Sequence, residues 1–301
     1  MSTLFKQIYR YTRPRAYRHN ENLWPFCRIT RGSTGEITHL RYKGQSVPLV
    51  PLAEWRHRYS GDALITATGP SIKEMDFAGL PPITVVGVNG AYALKDRLDF
   101  QLYIIVDMNF IDRRTDVLQS IIADPAITLF TTLHGIARII DRFTLAAVRC
   151  RLALIEDACY RIYQPKVASD DVGLRFGQDP HIQFSPNYPN IAFTTDIRGG
   201  VFDACTVVFW ALQILLFLGF TRLYIAGLDM TNFHQPRFYE TDEDKLPSFL
   251  AEKFATLIVP AFTLASEVLQ QNGVVVKNLS VHSALSNEIF EKVSFHDAFQ
   301  S

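Results

Sequence analysis

The sequence offers little with which to build a stapled, metal-bound or membrane-spanning protein. Its four cysteines, Cys27, Cys150, Cys159 and Cys205, are scattered, with no paired spacing of a disulfide framework or a zinc site. They read as reduced, buried thiols of a cytoplasmic protein. The longest apolar run, VVFWALQILLFLGF over 207–220, falls short of the ~20 residues that cross a bilayer and carries Gln213, so a buried helix is expected there. The start, MSTLFKQIYRYTRPRAYRHN, lacks an apolar core of signal-peptide length, and secretion is not expected. There is no GxxxxGK[ST] loop, no HExxH, no CxxC and no GxGxxG behind a first sheet strand. Those gaps count against ordinary nucleotide triphosphatases, zinc hydrolases and dinucleotide dehydrogenases. With a formal net charge of zero, no nucleic-acid partner is expected.

What is present is a globular composition, 48% hydrophobic and 20% charged, long enough to bury a sizeable core. The charge is unevenly spread. Residues 1–60 hold eleven Lys/Arg against Glu21, Glu36 and Glu54, a net +8 that leaves −8 for the remainder. Within this segment Lys6, Arg10, Arg13, Arg15 and Arg18 interleave with Phe5, Tyr9, Tyr11 and Tyr17, and no acidic residue precedes Glu21. Such a stretch either folds against the acidic remainder or lies on an anionic membrane surface, where tyrosines favour the interface.

From Ala63 onward, apolar runs alternate with helical patterns. ALITATG, ITVVGVNG, QLYIIVD and ITLFTT have the character of strands buried on both faces, separated by the helical KEMDFAGL, RRTDVLQSIIA and GIARIIDRF. A long helix within FDACTVVFWALQILLFLGF, the strand RLYIAGLDM, a second helix within PSFLAEKFATLIVPAFTLASEVLQQNG and the strand VVVKNLS follow, with Pro260 expected to kink the second helix. This order predicts an α/β, Rossmann-like fold with a mostly parallel sheet and helices on both faces over residues 61–301. Two parts stand outside the alternation. Residues 1–60, with the short β-like pieces FCRITRG, EITHLRYKG and SVPLVPL, read as a small basic extension, and the loop-rich residues 164–198 as a flap.

Parallel α/β sheets bind ligands beyond the carboxyl ends of their strands, and here those ends are polar. The first strand ends in Thr68-Gly69-Pro70-Ser71, where glycine permits close backbone approach, proline suits a first helical position and Ser71 can cap a helix whose amides attract an anion. The next strands end in Asn89-Gly90 and Asp107, a later one in Gly227-Leu228-Asp229, and the last runs into Ser280-Val281-His282-Ser283. Arg198-Gly199-Gly200 is expected to form another close-approach turn at a helix N-terminus. Singly, each is as consistent with an ordinary turn, a cap or a surface histidine; their occurrence at one end of successive strands points to a site. Beyond Asp229, Arg237 and Tyr239 can hold a departing phosphate, while His234 or Glu240 could accept a proton. Asp242-Glu243-Asp244 has a metal-binding form, yet carboxylates ahead of a helix are expected in any case, and no metal is assigned.

These residues resemble a known pattern. The segment Gly69-Pro70-Ser71-Ile72-Lys73-Glu74-Met75-Asp76, the strand ending in Asn89, and the later Ala211-Leu212-Gln213, Leu218-Gly219-Phe220 and Leu223-Tyr224-Ile225-Ala226-Gly227-Leu228-Asp229 are similar to the bacterial sialyltransferases of glycosyltransferase family 42. The resemblance is closer to the lipopolysaccharide-core Kdo transferases, through Val88-Asn89-Gly90, Asp107 with Arg113-Arg114, and Gly227–Thr231 leading to Arg237-Phe238-Tyr239. It covers roughly residues 60–290 and implies a CMP-activated 2-keto acid sugar as donor, a lipopolysaccharide-core acceptor, no cofactor and no metal requirement for donor binding. It sets Thr68, Gly69 and Ser71 beside the donor phosphate and ribose, Asn89 in the donor pocket, and Gly227 and Asp229 along the nucleotide. Arg237 falls where the sialyltransferases have a phosphate-holding tyrosine, and Asp107 where they have a donor-touching asparagine. Their general-base histidine has no counterpart near Ala255-Thr256, which leaves Asp107, His234 and Glu240 as candidates. The implied location is the cytoplasmic face of the inner membrane. Rival readings are sialyl transfer, a pyrophosphokinase-like enzyme with magnesium at the strand ends, and a non-catalytic partner in core assembly.

Overall fold

The structure is a computed structural model that describes residues 3–231 and 233–299. Three short strands come first: β1 (Cys27–Arg31), β2 (Ile37–Tyr42) and β3 (Gln45–Val47), an antiparallel meander. The main sheet begins with β4 (Asp62–Thr66), β5 (Thr84–Val88), β6 (Phe100–Ile105), β7 (Thr128–Thr131) and β8 (Arg151–Leu154). After a hairpin of β9 (Ile182–Ser185) and β10 (Tyr188–Thr194), the chain returns to it with β11 (Arg222–Ala226), β12 (Val275–Asn278) and β13 (Glu291–Lys292). The eight main strands lie in the order β13-β12-β11-β4-β5-β6-β7-β8, every pair parallel. The strand order thus reverses between β4 and β11, which neighbour each other although 160 residues apart in register, Arg222 opposite Asp62.

The near-continuous apolar strands are explained by burial on both faces. Alternate residues of β4 divide between two cores: Ala63 and Ile65 pack with the Val207–Leu218 and Val259–Gln271 helices, and Leu64 with the Thr115–Ala123 and Leu133–Phe143 helices. The apolar run at 207–220 forms the expected buried helix, with every residue from Val208 to Leu218 buried. Its one polar member is fully used: Gln213 accepts from the Thr194 and Phe202 amides and donates to the Phe202 and Phe209 carbonyls. Pro260 has the expected effect: a wide π turn at Phe254–Ile258 precedes it, relieving the clash its ring would make one turn back.

Three expectations need correction. KEMDFAGL is no α-helix; β4 leads into a 3-10 turn, Pro70–Glu74, and Asp76 then accepts the Ala78 amide, a local bond that competes with helix propagation. Arg198-Gly199-Gly200 does not start a helix, because the helix begins at Val207 behind the cap Thr206, and Ile197–Gly199 is a separate 3-10 turn. Residues 164–198 are also more ordered than a loop: they hold a short helix and the β9–β10 hairpin, whose Ile191–Phe193 are buried in the core.

The apolar side of the meander, Cys27, Ile37, Leu40, Tyr42 and Val47, is buried in the same core as Tyr103, Leu129 and Leu152. Arg31 fastens it by a bidentate pair with buried Glu156, at 2.5 and 2.8 Å, while donating also to the Ile162 carbonyl.

Beside Glu156, Asp157 accepts the Cys159 amide at 2.7 Å and forms a backbone bridge with Val201. Burial pushes its carboxyl up to about 7, and nearby Asp203 adds to the rise. Between the ordinary carboxylate value and about 7, the folded chain therefore holds a proton that the unfolded chain has lost. Asp157 contributes stability below that window and loses it as pH rises through about 7. Asp157→Asn keeps the acceptor for Cys159 and removes the charge. Thermal melts are expected to match the parent near the ordinary carboxylate value, to pull ahead of it as pH rises toward about 7 and to exceed it by several degrees at pH 8, an effect of about 4 kcal/mol at most; equal melting curves at pH 8 would refute this.

Candidate active site

A cleft of about 720 Å³ opens where the strand order reverses, beyond the carboxyl ends of β4, β5, β6 and β11. Its floor is the chain at Thr68, Gly69, Pro70, Asn89, Asp107, Gly227 and Asp229. One wall is Asp203, Cys205 and Thr206 at the start of the Val207–Leu218 helix; the other is drawn from residues 233–250 and includes His234, Arg237 and Lys245. A second cavity of about 600 Å³ adjoins it, sharing Pro70, Asp229, Thr231 and Gln235 and continuing over Ser71, Glu74, Ser280 and His282. Together they form one elongated trough.

The floor is held by a single crossing. The Gly69 amide donates to the Gly227 carbonyl at 3.0 Å. Buried Asp229 accepts the Ser71 amide at 2.9 Å and the Ser71 hydroxyl, which also meets Ser280 at 2.9 Å. Ser71 is therefore no helix cap, and its amide faces Asp229. Gly69 is required for a related reason: a Cβ there would lie 2.5 Å from an Asp229 carboxylate oxygen and 2.6 Å from the Gly227 carbonyl. The close approach that demands glycine is to the chain itself. Thr68 serves the opposite wall, its carbonyl accepting the Phe238 amide at 3.2 Å.

That wall is held by charge. Glu240, with 1% of its side chain exposed, accepts from the Arg237 guanidinium at 2.9 Å, the Arg237 amide at 3.1 Å and the Leu246 amide at 3.3 Å, with Arg114 at 3.5 Å. Arg114 pairs with Asp244 at 2.6 Å, and that contact holds the Asp244 carboxyl down at about 2. It also stands over the Tyr239 ring, 5.7 Å from its centre. Tyr239 fills the space a side chain at Gly90 would take, a Cβ there lying 2.2 Å from the ring, and burial raises its phenol. Glu240 and Tyr239 thus line neither cavity: both position the segment that presents Arg237.

The cleft brings together Thr68, Gly69, Pro70, Asn89, Asp107, Gly227, Asp229, His234 and Arg237 from the expected set. Ser71 and His282 line the second cavity, while Ser283 is buried, bonding the Leu228 carbonyl at 2.7 Å. Gly199 and Gly200 line neither, nor does any residue of the 164–198 flap; residues 233–250 flank the cleft instead. Asp107 keeps one carboxylate oxygen on the Asn109 amide, as the cap of the Met108–Arg113 helix. Sequence reasoning missed Asp203, Cys205, Thr206, Gln235 and Lys245. Thr206 was findable, as a capping residue immediately before an apolar helix. Cys205 is exposed, against the expectation of a buried thiol. The Asp242-Glu243-Asp244 run is spent on Lys245 and Arg114, and among the described residues no group of three or more His, Cys, Asp or Glu is placed to hold a metal ion.

Residues 181–295 match the family described as 3-deoxy-D-manno-octulosonic acid transferase WaaZ. The motif resemblance to the Kdo transferases thus agrees with the matched family, over the part of the chain that carries β11, the Arg237 wall and β12. No curated protein matches the chain. Among solved structures it is similar to the sialyltransferase CST-II in complex with trisaccharide acceptor and CMP, at 15% identity and a TM-score of 0.41, covering 78% of this chain and 87% of that one. It is likewise similar to CstII from Campylobacter jejuni in complex with a substrate analogue, CMP-3FNeuAc, at 14% identity and a TM-score of 0.42 over the same shares.

The Gly69 geometry carries a prediction. Gly69→Ala should lower stability by about 2 kcal/mol through the clash with Asp229 and Gly227, read as an earlier thermal melt, before any ligand is added. A melt unchanged from the parent would show that the crossing tolerates a side chain.

Proposed function

We propose that the chain is a glycosyltransferase that moves 3-deoxy-D-manno-octulosonic acid (Kdo) from its CMP ester to a lipopolysaccharide inner-core acceptor. The observation that carries this reading is the trough at the strand-order reversal, with Arg237 and Lys245 on one wall and the amide end of a buried helix, behind Thr206, on the other. The WaaZ family match over 181–295 supports it. A CMP-linked 2-keto acid sugar places two anions, a phosphate and a carboxylate, on one carbon. Two separate sources of positive potential suit that pair: guanidinium and ammonium for one, helix amides for the other.

The nucleoside then lies toward the second cavity, where Ser71, Ser280 and Asp229 offer partners to ribose hydroxyls. The acceptor hydroxyl oxygen attacks the anomeric carbon, the bond from that carbon to the phosphate oxygen breaks, and its electron pair leaves with CMP. The acceptor proton passes to Asp107 or His234, both in the cleft; Glu240 is committed elsewhere. A direct displacement of this kind inverts the anomeric centre. Arg237, held by Glu240, meets the charge that grows on the departing phosphate, and no resident metal is assigned. The acceptor is a glycolipid, so we place the protein at the cytoplasmic face of the inner membrane, as a peripheral protein.

Donor hydrolysis with CMP-Kdo, CMP-sialic acid and ATP tests the reading, alongside a CMP titration. CMP is expected to bind and CMP-Kdo to be the donor turned over. Arg237→Lys retains a charge beside Glu240 but loses the forked geometry, and should lower kcat by about tenfold or more with KM little changed. Preference for CMP-sialic acid would replace the sugar, magnesium-dependent turnover of ATP would replace the class, and no CMP binding would refute the reading.

A further inference from the structure

The Thr3–Thr12 helix presents three distinct faces. Phe5 and Tyr9 turn inward against Trp24, with ring centres 6.1 and 5.9 Å from it, and Phe5 also meets Phe26 at 5.5 Å. Leu4, Ile8 and Tyr11, at the spacing that lines one side of a helix, are 59%, 38% and 91% exposed. Lys6 and Arg10 lie on a third side, continued by Arg13 and by Arg15 and Arg18 of the following 3-10 turn. Arg10 is paired with Glu21 at 2.7 Å; among the described residues none of Lys6, Arg13, Arg15 and Arg18 forms an ion pair.

An apolar strip left in water on a helix whose other side is firmly docked needs a cover, and the charge says which. A second copy of this face would bring unpaired cations together. An anionic lipid surface would take the strip among its acyl chains and the cations among its headgroups, with Tyr11 at the boundary between them. The acidic balance of the rest of the chain would turn its bulk away from the same surface. We propose that the Thr3–Thr12 helix and the Arg13–Arg18 turn are a lipid-docking element that seats the protein on an anionic leaflet through Leu4, Ile8 and Tyr11. The proposal rests on the donor reading only for which membrane is meant; the docking chemistry stands without it.

Co-sedimentation of the full chain with phosphatidylglycerol and phosphatidylcholine vesicles, at low and high salt, tests it. Two variants are compared with the parent: Leu4→Ser/Ile8→Ser/Tyr11→Ser, and Arg13→Glu/Arg15→Glu. Their substitutions sit on exposed side chains, and unchanged thermal melts verify folding. The parent should bind phosphatidylglycerol vesicles, at least tenfold less tightly at high salt, and phosphatidylcholine weakly or not at all. Each variant should lose tenfold or more. The proposal falls if the parent ignores anionic vesicles, if the serine variant binds as the parent does, or if that variant only dissociates a dimer seen by size exclusion. CMP titration of the same samples separates the two readings: CMP binding without vesicle binding overturns docking alone, and vesicle binding without CMP binding overturns the donor assignment alone.

Discussion

The carboxylate of Asp229 is the constraint on which the candidate site depends. It leaves the end of β11, crosses to the turn after β4 and takes both the amide and the hydroxyl of Ser71. Those two strands neighbour each other only because the sheet reverses its order there, so the bond closes the floor at the one point where the crevice opens. A buried carboxylate is tolerable because each of its oxygens receives a donor at short range, the Ser71 amide and the Ser71 hydroxyl. Gly69, Gly227 and Ser71 are selected by this crossing as much as by anything that would lie upon it.

The wall above the floor follows a different logic. Residues 233–250 place Phe233, Phe238 and Tyr239 only partly against the cores and are secured by Glu240, Arg114, Arg237 and Asp244. Glu240 does two things at once. It ties Arg237 to Leu246, and it keeps a guanidinium at the cleft without a long search among rotamers, as the proposed role of Arg237 would require.

The strands were legible because burial on both faces leaves uninterrupted apolar runs, and their polar ends lay where a parallel sheet puts its ligands. Asn89, Asp107 and Arg237 could therefore be named without coordinates. The roles of Ser71 and Tyr239 could not, since each is decided by a partner far along the chain, Asp229 for Ser71 and Gly90 for Tyr239; Glu240 takes its closest partners locally, from Arg237 and Leu246, and only its burial separates it from a free base. The 3-10 turn at Pro70–Glu74 was misread as a helix for the same reason, because a contact with a distant carboxylate outweighed local propensity. Thr206 shows the converse, a local pattern that a capping rule alone would have exposed.

The place of β4 between β5 and β11 has a consequence for synthesis. β5 can pair with β4 as soon as both have left the ribosome, but the other edge of β4 waits for residues 222–226. Until then the nascent chain carries an unsatisfied central strand, with the hydrophobic Val207–Leu218 segment emerging last before its cover. A ribosome pausing before residue 222 would leave the most adhesive surface of the protein open to chaperones or to neighbouring chains. The crevice thus cannot exist before β11 is made, and any shortened product ending before β11 lacks it altogether.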